Sequence, residues 1–160
     1  MDLHALKITA REKFQGCCRV CPVCDGVVCA GEVPGMGGTG TGAAFKHNVQ
    51  ALACYQLNMR TIHQAAVPVL SRKLLGMDLA VPVLAAPIGG IALNMKGAMA
   101  EDEYCEAIVA GCRQAGVVAM TGDGPNPVVF EAGMKVLASH KGYGIPTIKP
   151  RATDVIIEMA

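Results

Sequence analysis

The chain has 160 residues, with 14 Lys and Arg, 13 Asp and Glu and a formal net charge of +1. This balance excludes a basic nucleic-acid-binding face, and a content of 52% hydrophobic against 17% charged residues excludes intrinsic disorder. The longest uncharged stretch, residues 79–95, is interrupted by prolines and glycines, and the N-terminus has no apolar signal-peptide core. We therefore expect a cytoplasmic protein without a membrane span.

The first third of the chain predicts two short helices, because apolar residues recur at helical spacing over residues 2–15 and 44–53. The segment between them is rich first in cysteine and then in glycine, which predicts loops rather than a third helix. Residues 70–82 follow, and their pattern predicts a small β-hairpin that turns at Gly76.

From residue 83 onward, apolar runs alternate with amphipathic helical patterns. Each apolar run is continuous, as in a parallel strand that is covered on both faces. Asn126 is followed by a proline, a combination that caps and begins a helix. The predicted order is strand, helix, strand, helix, strand, helix, over residues 83–87, 99–115, 117–120, 127–139, 145–149 and from 152 onward.

This succession predicts an α/β fold with a parallel sheet. The three strand starts recur about every 31 residues, so eight repeats would span about 250 residues, the length of a (β/α)₈ barrel. We therefore expect a partial TIM barrel, in which residues 46–160 form the first three β/α units of a truncated barrel. Residues 1–45 would form a preceding helical arm that is rich in Cys and Gly.

Residues 35–40 formally match the G-x-G-x-x-G motif of dinucleotide-binding folds. That motif requires a preceding strand and an acidic residue roughly 20 residues later. Here a loop rich in Cys and Pro precedes the glycines, and no Asp or Glu occurs between Glu32 and Asp78. We therefore interpret the segment as a glycine loop and not as a Rossmann fingerprint.

Five of the eight cysteines lie between residues 17 and 29. Four of them have the spacing of ligands for an Fe–S cluster or Zn²⁺, because thiolates so spaced reach one centre from a loop. These predicted metal ligands are Cys18, Cys21, Cys24 and Cys29. The alternative is a packed or redox-sensitive loop, in which Cys17 is one more buried side chain.

The carboxyl ends of the three strands would line the active site of a barrel. Small residues there allow a flat ring to approach the backbone, and a cation there would stabilise an electron-rich, reduced ring. The residues in question are Ala86, Pro87, Ile88 and Gly89 after the first strand, Thr121 and Gly122 after the second, and Lys149 after the third. For Lys149 the alternative is a solvated strand end or an ion pair. Asp123 is either a site residue or part of a helix-start turn.

The order of these motifs resembles one family, the FMN-dependent α-hydroxy-acid oxidases and dehydrogenases. The family's glycine segment is similar to residues 37–41, and its Asn-containing helix is similar to residues 46–52. Its small hairpin resembles residues 74–79, and its first barrel strand, which ends in Ala-Pro, resembles residues 82–87. The chain departs from the family in its cysteine-rich arm and in the lack of a tyrosine before the glycine segment.

The resemblance implies a (β/α)₈ barrel that binds FMN across its strand ends and transfers hydride from a small, lactate-like 2-hydroxy acid to flavin N5. It implies FMN contacts at Ala86, Pro87, Ile88, Gly89, Thr121, Gly122 and Lys149, the last at or beside the position of a family glutamine. The family's histidine base, substrate-binding arginines and phosphate site come from later strands. We therefore expect no catalytic base in these 160 residues, an inactive chain when it is isolated, and a homo-oligomer as the assembly.

Two alternatives remain open at this point. One is another FMN barrel enzyme, such as a type 2 isopentenyl-diphosphate isomerase. The other is a metal- or redox-binding module that uses the cysteine cluster. A flavin spectrum separates the first from the second, since only an FMN enzyme carries the flavin.

Overall fold

Residues 2–32, 40–64 and 66–160 of the chain are described by a computed structural model. Most of the predicted glycine loop lies outside these residues. The chain divides into an N-terminal unit and a sheet unit. The N-terminal unit comprises residues 1–68 and 92–98, and the sheet unit comprises residues 69–91 and 99–160.

The N-terminal unit contains helices α1 (Leu3–Lys13) and α2 (Ala43–Ala53), which confirms both predicted helices. The carboxylate of Asp2 caps α1 by accepting a hydrogen bond of 3.0 Å from the backbone N–H of His4. The Arg11 side chain on α1 donates to two carbonyl oxygens of the loop that follows. These hydrogen bonds hold the start of the cysteine-rich loop against helix α1.

The predicted hairpin is confirmed. Strands β1 (Arg72–Leu74) and β2 (Met77–Leu79) pair antiparallel around a two-residue turn. Both turn residues, Leu75 and Gly76, have positive φ angles, of 48° and 81°. This is the backbone that a type I′ turn requires, and glycine adopts it without steric cost.

The sheet unit contains the three parallel strands β3 (Leu84–Ile88), β4 (Val118–Thr121) and β5 (Ile145–Pro146), in the order β3-β4-β5. This confirms the α/β class with a parallel sheet. The third strand is shorter than the predicted 145–149. Pro146 has no N–H for the ladder, and Lys149 donates its N–H to the Asp123 side chain instead of to a neighbouring strand.

Helices α4 (Glu101–Gln114), α5 (Pro127–Ser139) and α6 (Thr153–Met159) confirm the predicted helices, and a short additional helix, α3, spans Ile91–Asn94. The core lies where α4 and α5 pack against β4. Its buried members are Cys105, Val109, Cys112, Ala119, Ala132, Val136 and Leu137. Burial, followed by nearby acidic groups, raises the pKa of Cys105 to about 11, which keeps this thiol protonated in the core.

Only one strand has the burial that the apolar runs predict. Strand β4 is buried, with the exception of the half-buried Met120, whereas β3 leaves 38% of Leu84 and 42% of Ile88 exposed. The prediction that the first strand is covered on both faces is therefore wrong. The reason is topological, because β3 is an edge strand with a partner on one side only.

No helix in the described ranges is long and apolar enough to cross a membrane.

Candidate functional site

The carboxyl ends of β3 and β4 meet in direct backbone contact. A Cβ atom on Gly122 would lie 2.6 Å from the nitrogen of Gly89 and 2.7 Å from the carbonyl oxygen of Ile88. A Cβ atom on Gly89 would lie 2.5 Å from a methyl carbon of Val129. Gly122 is therefore required for the strand ends to approach each other, and Gly89 leaves room for the Val129 side chain. The sequence interpretation assigned these glycines to the approach of a flat ring and did not identify this contact.

The loop after β3 is held by an acidic side chain from the next long helix. The Glu101 carboxylate at the start of α4 accepts hydrogen bonds from the backbone N–H groups of Gly90 at 3.0 Å and Ile91 at 2.8 Å. Glu101 is not among the residues that the sequence predicted for the site. Its reach back to the strand end had no sequence signal, because the partners are backbone groups.

Asp123 joins the loops that follow β4 and β5. Its carboxylate is fully enclosed and accepts hydrogen bonds from the backbone N–H of Gly124 at 2.7 Å and of Lys149 at 2.9 Å. The Arg151 guanidinium donates to both carboxylate oxygens, at 2.7 and 2.9 Å, and to the Gly124 carbonyl oxygen at 2.9 Å. Asp123 therefore fixes the register of the two loops and is more than a local helix-start turn.

The electrostatics of Asp123 favour its charged form. Burial acts to raise the pKa of Asp123, but hydrogen bonds from the Lys149 backbone, the Arg151 side chain and the Gly124 backbone lower it further than burial raises it. The net pKa is below the ordinary value, so the carboxylate is ionised at neutral pH. An ionised carboxylate with three donors is suited to holding loops together and unsuited to donating a proton.

The third strand contributes two further groups to this edge. The backbone of Lys149 is fixed by Asp123, and the residue is exposed. The backbone N–H of Thr147 donates to the carbonyl oxygen of Thr121 at 3.2 Å. The Thr147 hydroxyl oxygen is buried and has no hydrogen-bond partner within the described chain. Thr147 was not predicted as a site residue, because its only sequence signal is a hydroxyl residue among apolar neighbours.

The structure therefore gathers the predicted residues in part. Ile88, Gly89 and Gly122 are in contact, Thr121 pairs with Ile88 in the sheet register, and Lys149 is tied to the same edge through Asp123. Ala86 and Pro87 are exposed positions of β3 that lead into this edge.

The histidine of the sheet unit lies elsewhere. His140 follows α5 and precedes β5, which places it toward the opposite edge of the sheet. Its Nε2 lies 2.9 Å from a carboxylate oxygen of Glu106 on α4. The pairing links two helices, so His140 is not a base for the strand ends.

The four cysteines of the predicted metal site line one small pocket, together with Arg19 and Asp25, and we call it the cysteine pocket. The thiols are free, and Cys17, which is fully buried, is not part of the lining. Partial burial raises the pKa of Cys24, and the neighbouring Cys18, Cys29 and Cys21 and then Asp25 raise it further.

This arrangement does not yet form a metal site. Within residues 2–32, 40–64 and 66–160, no group of three or more His, Cys, Asp or Glu side chains is arranged to hold a metal ion. The four thiols share a pocket, but they do not converge on one coordination point. The prediction of an Fe–S or Zn site is thus unsupported by the geometry of these residues.

The family model for FMN-dependent dehydrogenases matches residues 35–126. This match covers more than half of the chain and includes β3, β4 and the loops that join them, while the cysteine pocket and β5 lie outside it. Comparison with curated proteins and with solved structures gave no match. Because the matched segment contains the Gly89–Gly122 contact, the family and the strand-end geometry agree on the same part of the molecule. The chain belongs to the FMN-dependent dehydrogenase family.

Proposed function

We propose that the carboxyl edge of this sheet forms one wall of the FMN site of an oxidoreductase that oxidises a small 2-hydroxy acid such as lactate. The observation that carries the proposal is the contact between Gly89 and Gly122. Because neither residue has a side chain, the ends of β3 and β4 lie close together and present backbone at this edge. Residues 46–160 would form the first β/α units of a barrel, with residues 1–45 as an arm.

The residues at this edge fit a flavin. Ala86, Pro87 and Ile88 expose small or apolar groups suited to a flat aromatic ring. The Thr147 hydroxyl is a buried polar group that needs a partner from outside the described chain. Lys149 supplies a cation at a fixed backbone position. A flat surface, an unsatisfied hydroxyl and a positive charge match the planar face and polar rim of an isoalloxazine ring.

When bound, FMN supplies the acceptor for two electrons. The chain's own residues orient and tune it. Ala86 to Gly89 would support the ring, with Glu101 holding the adjacent loop in place. Lys149 would place positive charge where reduction adds electron density, and Asp123 would fix the backbone from which that side chain extends.

We assign no catalytic base within the sheet unit. The resemblance places the family's base on a later strand, and the one histidine of residues 69–160, His140, is paired with Glu106. The proposed part of these residues is to bind and orient the cofactor and to set its electrostatics.

The test is anaerobic reduction of the flavin in a purified protein that contains these residues together with the later strands on which the resemblance places the base. The proposal expects lactate or glycolate to bleach the flavin absorbance. It also expects Lys149→Met to alter the flavin midpoint potential, whereas Lys141→Met, a charge loss at the opposite end of α5, leaves it unchanged. Isomerisation of a prenyl diphosphate without net bleaching by either hydroxy acid would overturn the substrate assignment. A protein that binds no FMN would overturn the site.

A further inference from the structure

The cysteine pocket lies outside the matched family segment, and its lining residues are not among those proposed for the flavin site. We infer that Cys18, Cys21, Cys24 and Cys29 bind a single thiophilic divalent cation of the zinc class, in a site that closes when the ion enters. The inference is independent of the proposed hydroxy-acid activity.

The first support is that the four side chains share one pocket. They come from a span of 12 residues and line the same pocket, which has a volume of about 40 Å³. A water-sized guest needs roughly 10–15 Å³ of such space, so the pocket has room for one ion. In a tetrahedral Zn–thiolate site the metal–sulfur distance is about 2.3 Å, which places the sulfurs about 3.8 Å apart. The thiols must draw closer together to reach this geometry, and metal binding commonly orders its own ligands in this way.

The second support is an unsatisfied cationic group in the pocket lining. Arg19 pairs one guanidinium nitrogen with Glu32 at 2.9 Å, but its Nη1 is buried and has no hydrogen-bond partner within the described chain. Four thiolates around a divalent cation carry a net charge of −2. A guanidinium N–H beside them would offset that charge and donate to sulfur. The Cys18 sulfur already accepts such a bond, from the Val20 N–H at 3.4 Å.

The third support is a loop backbone that is held from both neighbouring helices. Val20 has a φ of 48°, a conformation that β-branched residues rarely adopt and that surrounding contacts must maintain. The Arg11 side chain supplies such contacts, since it donates to the carbonyl oxygens of Arg19 at 2.8 Å and Val20 at 3.2 Å. On the other side, Gly26 lies directly against the Phe45 ring of α2. The backbone is therefore held on both sides of Cys21 and Cys24, which keeps the four cysteines at one pocket.

The binding step is balanced without a change of oxidation state. Each thiol loses its proton to solvent as its sulfur forms a bond to the cation. The ligated state thus contains four metal–sulfur bonds, and four protons are released.

The experiment is metal analysis of the full chain purified anaerobically, followed by titration of the metal-free chain with Co²⁺. We expect one equivalent of Zn²⁺ per chain and the thiolate-to-metal absorbance of tetrahedral Co²⁺. Cys24→Ser should weaken Co²⁺ binding at least about tenfold. Cys54→Ser is the matched control, because this exposed cysteine lies on the chain after α2 and outside the pocket. Arg19→Gln should weaken binding by about 10- to 100-fold without removing a ligand.

Three results would overturn the inference. One is Co²⁺ affinity that is equal in the Cys24→Ser and wild-type chains while both retain native circular dichroism. Another is iron with acid-labile sulfide, which would show a cluster in place of a single ion. The third is a mass two hydrogens lower than that of the fully reduced chain, with no bound metal, which would show a disulfide. FMN content, measured in the same samples, reports separately on the proposed function.

Discussion

Replacement of Asp123 by Asn tests whether the Asp123–Arg151 pair holds the sheet edge together. Asn has nearly the same shape but lacks the charge, and its amide nitrogen must face at least one of the donors that now contact the carboxylate. Removal of one partner from a buried ion pair costs about 3–5 kcal/mol. Since 29% of the Arg151 side chain is exposed, water relieves part of this cost, and we expect the lower end, about 3 kcal/mol.

The assay is urea or thermal unfolding followed by circular dichroism at low protein concentration. For a chain of this size, about 3 kcal/mol corresponds to a fall in Tm of roughly 6–12 °C. Asp78→Asn is the matched control, because Asp78 pairs with Lys73 on the exposed hairpin at 3.7 Å. Exposed pairs contribute about 0–1 kcal/mol. If the two variants lost similar stability, the reasoning about the buried carboxylate would be refuted.

The same residue predicts a pH dependence. The folded-state pKa of Asp123 lies below its unfolded value, so its contribution to stability is complete above the unfolded pKa of about 4. The contribution is lost as the pH falls from about 4 through the folded pKa. The stability difference between wild type and Asp123→Asn should therefore be constant near neutral pH and shrink on acidification. A difference that grew on acidification would contradict the assignment.

Three further outcomes are expected. Gly122→Ala should destabilise the chain by about 1–3 kcal/mol in urea unfolding, because its Cβ would meet the backbone of Gly89. Gly111→Ala, with open space around the helical position, should be neutral or stabilising and serves as the control. Lys149→Met should lower the flavin midpoint potential measured by spectroelectrochemistry, and Lys141→Met should not; equal potentials in all three proteins would show that the Lys149 ammonium does not face the ring. The 160-residue chain should self-associate in light scattering, because β3 is an unpaired edge and the segment after α2 exposes large apolar side chains. A monodisperse 16.6 kDa monomer would contradict this expectation.

Features set by neighbouring residues were predictable from the sequence. Helix α5 begins at the predicted residue because Asn126 accepts from the Val128 N–H and Pro127 favours the first helical position. The hairpin turn was predictable because Gly76 tolerates a positive φ angle. In both cases the determining contacts lie within a few residues along the chain.

For the carboxyl edge of the sheet, the sequence predicted which residues lie there but not the hydrogen bonds between them. Lys149 and Asp123 are 26 residues apart, and their hydrogen bond ends β5 early. An apolar run carries no information about a side-chain acceptor that far away, so the sequence predicted a longer strand. The unpaired Thr147 hydroxyl was missed for the same reason, because its lack of a partner is a property of the packed edge.

Glycine at the ends of β3 and β4 has more than one physical cause. Glycine after two parallel strands predicted an accessible strand end, and the structure shows that these glycines first allow β3 and β4 to touch. The two causes are compatible, since the same missing side chains that permit backbone contact also leave the edge flat. A substitution at Gly122 distinguishes the two causes. An added methyl at Gly122 would lower stability whether or not FMN is bound, because its clash is with Ile88 and Gly89. A residue whose only function was to admit the ring would change FMN affinity and leave the stability of the FMN-free chain unchanged.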